Sequence, residues 1–236
     1  MIPIRDNIPT QRRPVVTLAL IGVNLAVWLV YELPDLGRAI VDSAWFPCEP
    51  NGACDPPGLP WPADALTSTF MHGSWAHVLF NMLFLWIFGN NVEDALGRLR
   101  FLGFYLCAGL AAIALQTFVT LTFGSVDESF VPNVGASGAI AGVLGAYLVL
   151  YPNARVLTLA FFFIPFEIPA VAFLVIWFAF QLWYGGFDLL APTGAGEGGV
   201  AFFAHIGGFV FGLFAVWLFR GPSKRRRSPA WPRSEA

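Results

Sequence analysis

The chain has 236 residues, of which 57% are hydrophobic, 16% aromatic and only 12% charged, against the roughly 25% charge usual in a soluble domain. That composition excludes an ordinary soluble protein, and a separate soluble catalytic domain has no room beside the apolar runs. The formal net charge of −2 conceals a strong asymmetry along the chain, and no nucleic acid is expected as a partner.

Residues 1–13 read as a short cytosolic lead. Pro14–Tyr31 is the first run free of Asp, Glu, Lys and Arg, near the ~17–25 residues that cross a bilayer. Arg12-Arg13 before it also fits the start of a cleaved export signal. The bulky Trp28 and the lack of a small-residue cleavage site favour an uncleaved span. Residues 32–74 are too long and too rich in proline for a tight connection and read as a structured external loop. In that loop Trp45 and Trp61 suit the headgroup interface, Ala63–Met71 reads as a short interfacial helix, and Cys48 and Cys54 are either a disulfide or two free thiols. A lone cysteine pair is too few for a zinc site.

Further charge-free runs follow at Trp75–Val92, Phe101–Ser125, Gly135–Pro152, Ile168–Gly186 and Gly198–Phe219. Cys107, inside the third, is expected to pack. Val156–Phe166 is too short to cross and should fold back at the cytoplasmic surface, since Pro165 and Pro169 disfavour one helix from Arg155 to Gly186. Glu167 then sits near the start of the fifth span, where a carboxylate suits the helix dipole. Gly185–Gly199 reads as a mobile external loop. Residues 221–236 read as a basic cytosolic tail lying against anionic lipid. The expected fold is all-α: a polytopic six-helix membrane bundle over residues 14–220 with a long first external loop.

If both termini are cytosolic, every one of the 13 basic residues except Arg38 falls on that side, the positive-inside pattern. Nothing in the lead resembles an organellar address, so a bacterial cytoplasmic membrane is the default expectation.

Under this topology the second, fourth and sixth spans all begin on the external side. His77 and Asn81, four apart, share one helix face near the start of the second. Ser137 begins the fourth, and His205 lies some way into the sixth. Each alone reads as a helix-packing hydrogen bond, but polar groups in hydrocarbon are costly, and their coincidence at one depth points to a site. Gly135, Gly138 and Gly142 strip bulk from the fourth span, while Gly208 and Gly212 follow His205 with GxxxG spacing. Both patterns permit the close backbone approach that a serine hydroxyl and a histidine base require. An HExxH zinc helix is absent, no acid pair lies within a span, and Gly135–Gly138 is not the soluble-hydrolase elbow. A Ser–His pair without an acidic third member remains, a chemistry that needs no metal and no cofactor.

His77-Val78-Leu79-Phe80-Asn81, Gly135-Ala136-Ser137-Gly138, and Ala204-His205-Ile206-Gly207-Gly208 with Gly212 stand in this order on the second, fourth and sixth runs. In these elements the chain resembles the rhomboid intramembrane serine proteases over about Pro14–Arg220. The resemblance implies that Ser137 is the nucleophile and His205 its general base, with the Ser137 N–H, His77 and Asn81 as the oxyanion hole. It further implies that Glu93 is a structural carboxylate, that the fifth span is a lateral gate with the following loop as a cap, and that the substrates are transmembrane segments cut near the external face. Two departures stand out. Ala141 occupies the position where many relatives carry a tyrosine stacked on the base, leaving the orientation of His205 open, and the Trp-Arg dipeptide of the first external loop is absent. The competing readings are an inactive rhomboid-like binder or chaperone and, more remotely, a transporter. No oligomeric state is implied.

Overall fold

Apolar side chains on nearly every face force these helices to find lipid outside and small residues inside. The computed structural model describes residues 2–160, 163–190 and 200–221, with the backbone alone at 188–190. The first long helix, α1 (Val15–Ala26), runs on as a π-helical segment, Val27–Glu32. The external loop holds α2 (Leu36–Ser43), α3 (Trp61–Thr67) and a 3₁₀ turn, Ser68–Phe70, close to the expected Ala63–Met71 helix. Next, α4 (Trp75–Phe84) passes through a π segment, Leu85–Gly89, into α5 (Asn90–Leu96). Gly97, at φ 84°, turns the chain sharply into α6 (Arg98–Phe123), a conformation that suits glycine. The remaining helices are α7 (Ser137–Leu150), α8 (Ala170–Leu190) and α9 (Phe202–Phe219).

The protein is thus mostly helical. Among the described residues, four helices are long and apolar enough to cross a membrane, Val15–Glu32, Arg98–Phe123, Ala170–Phe187 and Phe202–Phe219, and Ser137–Leu150 is a shorter apolar helix. Large apolar side chains point outward along them, among them Val30, Phe118, Phe180, Trp183, Phe214 and Leu218. Glu93, Asn91, Asn24 and Thr17 are buried instead. This inversion is that of an integral membrane protein, whose polar groups must find partners within the bundle.

Several expectations change. The all-α reading lacked a three-stranded sheet: β1 (Ile2–Asp6) pairs antiparallel with β2 (Arg155–Ala160), which pairs antiparallel with β3 (Ile164–Pro169). The segment expected to fold back does so, as a hairpin rather than in helical form. Gly185–Gly199 does not begin as a loop, because α8 runs on to Leu190. Gly185 is there packed under Phe202 and Phe203, and glycine permits a helix that its neighbours stabilise. Residues 191–199 and the tail 222–236 lie outside the described residues. Cys107 faces outward instead of packing, and Cys48 is bonded to Cys54.

The two ends of the bundle differ in kind. At one, Arg12, Arg13, Arg98 and Arg100 line a cavity of about 540 Å³, and Asp6 of β1 accepts hydrogen bonds from Asn91 and from Tyr147 near the end of α7. At the same end Glu93 accepts from the backbone N–H of Val16 and Thr17 and from the Thr17 hydroxyl, at 3.0, 2.7 and 2.8 Å. The carboxylate thereby caps two first-turn donors of α1 that no residue of α1 itself satisfies. At the other end the disulfide loop packs on the α6–α7 connection, with Trp45 bridged to Asn133 and Cys48 N–H donating to Ser129 O.

Candidate active site

The site grows from a seam of glycines. On α7, Gly138 and Gly142 face Gly208 and Gly212 of α9 so closely that a Cβ on Gly208 would strike the Gly138 carbonyl, and one on Gly212 the Gly142 carbonyl. Two helix backbones touch there with no side chain between them. Ser137 immediately precedes Gly138. His205 stands about one turn before Gly208, in the first turn of α9, nearer the helix start than the run from Gly198 implied. The seam therefore carries Ser137 and His205 at the same end.

The segment ahead of Ser137 is held by the external loop. Gly135 N–H donates to Ser68 O at 2.9 Å, and Gly135 has φ 136°. A Cβ at this position would lie 2.9 Å from both Cε1 and Nε2 of His77 and 3.4 Å from the Ser137 hydroxyl oxygen. The imidazole and the hydroxyl thus line one small space that only glycine leaves open.

The polar groups of these motifs each have a defined sense. Gly73 N–H donates to His77 Nδ1 at 3.4 Å, so the ring proton resides on Nε2, the atom turned toward Gly135 and Ser137. Asn81 is buried, and its Nδ2 meets no acceptor among the described residues. Ser137 is the first residue of α7, where backbone N–H groups have no partner within the helix and the dipole favours negative charge. Ser74, the N-cap of α4, accepts from His77 N–H at 3.1 Å and fixes the start of that helix. His72, fully buried, packs edge-on against His77 at 5.0 Å between ring centroids. Burial, helped by the neighbouring His77, pushes His72 down to about 3, so it is neutral. Its backbone N–H donates to the Glu32 carboxylate, which ties the entry of α4 to the end of the first long helix.

His205 has partners that the sequence reading missed. Its Nδ1 lies 2.8 Å from Gln181 Oε1, and the Trp177 ring packs beside it at 5.8 Å. Both come from α8, four residues apart on one face. Gln116 of α6 accepts from Ala204 N–H at 3.1 Å and so caps the start of α9. The signal was present: Gln181 and Gln116 are isolated amides in otherwise apolar runs, where a polar side chain needs a reason.

The chain matches a Rhomboid domain over residues 61–222. It belongs to the rhomboid family. This rhomboid is 30% identical over 217 residues to the presenilin-associated rhomboid-like protein, mitochondrial, of Bos taurus, spanning 89% of this chain and 50% of that one. It is 28% identical over 218 residues to Rhomboid protein 1, mitochondrial, of Saccharomyces cerevisiae, spanning 89% and 54%. A shorter stretch of 90 residues is 40% identical to Rhomboid protease GluP of Bacillus subtilis, spanning 38% of this chain and 16% of that one. The chain spans about half the length of the mitochondrial relatives it matches. In this rhomboid the residues of all three sequence motifs converge on one end of the α7–α9 seam, with α4 alongside.

Proposed function

We propose that this rhomboid is an intramembrane serine endopeptidase, in which Ser137 attacks the scissile carbonyl and His205 accepts its proton. The observation that carries this reading is the small space beside Gly135 at the start of α7, lined together by the His77 imidazole, with Nε2–H turned into it, and the Ser137 hydroxyl. To the Ser137 N–H and His77 we add as a third donor the buried Asn81 amide, which meets no acceptor among the described residues. Such preorganised donors stabilise the oxyanion that develops in the tetrahedral intermediate. The proton then passes from His205 to the leaving amine, and water repeats the sequence on the acyl-enzyme. Substrates on this reading are transmembrane segments of other proteins, cut near the membrane face on which α4, α7 and α9 begin. Helix-weakening residues should favour cleavage, because a helical carbonyl is already hydrogen-bonded. The mitochondrial relatives lend no support to the bacterial cytoplasmic membrane expected from the sequence; the apolar helices insert the protein in a bilayer, with the arginine-lined end on one side.

Purified protein in liposomes with a fluorescent transmembrane substrate tests the proposal. Wild type should cleave and react at Ser137 with a fluorophosphonate, whereas Ser137→Ala and His205→Ala should do neither at a measurable rate. Equal cleavage by wild type and Ser137→Ala would overturn the reading in favour of a binder built on the same scaffold.

A further inference from the structure

We infer that Gln181 is a positioning residue for His205, so that a neutral amide takes the place of the carboxylate that orients the base in a three-membered serine-protease relay. The inference rests on the serine-protease reading above. Its basis is the sense of each hydrogen bond. Gln181 Nε2 donates to the Trp177 backbone carbonyl at 3.3 Å, and a carbonyl can only accept. The other end of the amide, Oε1, is therefore the atom facing His205 Nδ1 at 2.8 Å. Because Oε1 is also acceptor-only, Nδ1 must carry the proton, which leaves Nε2 with its lone pair free to take the proton of Ser137.

When the Ser137 O–H bond breaks and the Oγ–carbon bond forms, that proton moves to His205 Nε2. The imidazolium then holds Gln181 Oε1 through a charge-assisted bond, stronger than the neutral one it replaces. The amide thus helps the charged state more than the resting state, as catalysis requires. An amide suits the place better than a carboxylate would: Gln181 is 8% exposed, in a helix otherwise apolar over this stretch, where a buried ion is expensive. Trp177 closes one side of the ring and limits its rotation, taking the part left open by Ala141. The arrangement explains how His205 is held although α7 offers no aromatic residue at that position.

Two substitutions separate positioning from packing. Gln181→Met keeps the shape and removes the acceptor, while Gln181→Glu keeps an acceptor. A wrong or mixed tautomer is costly in such relays, and Gln181→Met should lower kcat by about 10- to 100-fold with KM within about 2-fold. Fluorophosphonate labelling of Ser137 should slow in parallel, and the thermal midpoint should change little. Gln181→Glu should recover most of the rate, with the acidic limb of its kcat profile moved to higher pH, since a carboxylate favours the imidazolium. Nitrogen-15 NMR of labelled histidine should find His205 protonated at Nδ1 in wild type and mixed in Gln181→Met. An unchanged kcat in Gln181→Met, or a Gln181→Glu profile that superimposes on wild type, would overturn the inference. The NMR result needs no turnover, so a wild type that neither cleaves nor labels would sink the protease reading while the tautomer of His205 still decides the role of Gln181.

Discussion

At the scale of single residues, the chemistry depends on which way a few donors point. Asn81 is buried with an amide that meets no acceptor among the described residues. As the proposed oxyanion donor, its replacement in Asn81→Ala should lower kcat by about 10- to 1,000-fold with KM nearly unchanged; steady-state kinetics on the transmembrane substrate checks this, and an equal loss in KM would assign Asn81 to substrate binding instead. Glu93 acts on stability. It is almost fully buried and gathers three hydrogen bonds from α1. Bonds to a charged acceptor are worth about 1.5–3 kcal/mol each, and Glu93→Gln should destabilise the protein by roughly 2 kcal/mol, read as a lower unfolding midpoint in detergent. Ser137, His205, His77 and Asn81 were legible in the sequence because each motif keeps its residues within one or two turns of a single helix. Gln181 and Gly73 were not, because their partners are set by which face of α8 turns inward and by how the chain bends ahead of α4.

At the scale of elements, the helices were legible and the sheet was not. Runs without charge long enough to cross a bilayer announce themselves, and the observed helices fall within a few residues of them. Val156–Phe166 carries no clear alternation, and its partner strand, Ile2–Asp6, lies at the other end of the sequence. Pro165 and Pro169 spoke against one continuous helix there without pointing to strands, yet they and Pro3 all fall on the two edge strands, where a missing N–H costs little. The sheet is joined to the bundle through Asp6, whose carboxyl burial pushes up to about 6 from 3.8, against the hydrogen bonds from Tyr147 and Asn91 that lower it. Because the folded value lies above the ordinary one, this group's stabilisation is complete below pH 3.8 and is lost as pH rises through 6. The midpoint of wild type should therefore fall, between about pH 4 and pH 7, further than that of Asp6→Asn. Parallel curves for the two proteins would show that Asp6 does not titrate in the folded state.

Over the whole molecule, a basic end carrying the sheet stands opposite an end stapled by the Cys48–Cys54 disulfide. The bridge closes a short loop, sequence separation 6, for which chain entropy suggests about 2 kcal/mol. Replacing both cysteines by serine should lower the unfolding free energy by about that amount, read as a lower midpoint, and reducing agent should then have no further effect on it. Six apolar runs, the long external loop and the grouping of arginines were all visible in the sequence, while the number of described helices that meet the length of a bilayer is smaller than the number of runs. Between the two ends runs the glycine seam, and its construction sets an unusual rule for variation. Where side chains fill a core, damage grows with the volume inserted. At Gly208 and Gly212 the first carbon already collides with a carbonyl of the facing helix, so size beyond alanine adds little. A saturation library scored for folding should show these two positions as all-or-none columns, with alanine nearly as disabling as leucine, while outward-facing Phe214 and Leu218 just beyond them tolerate any apolar residue.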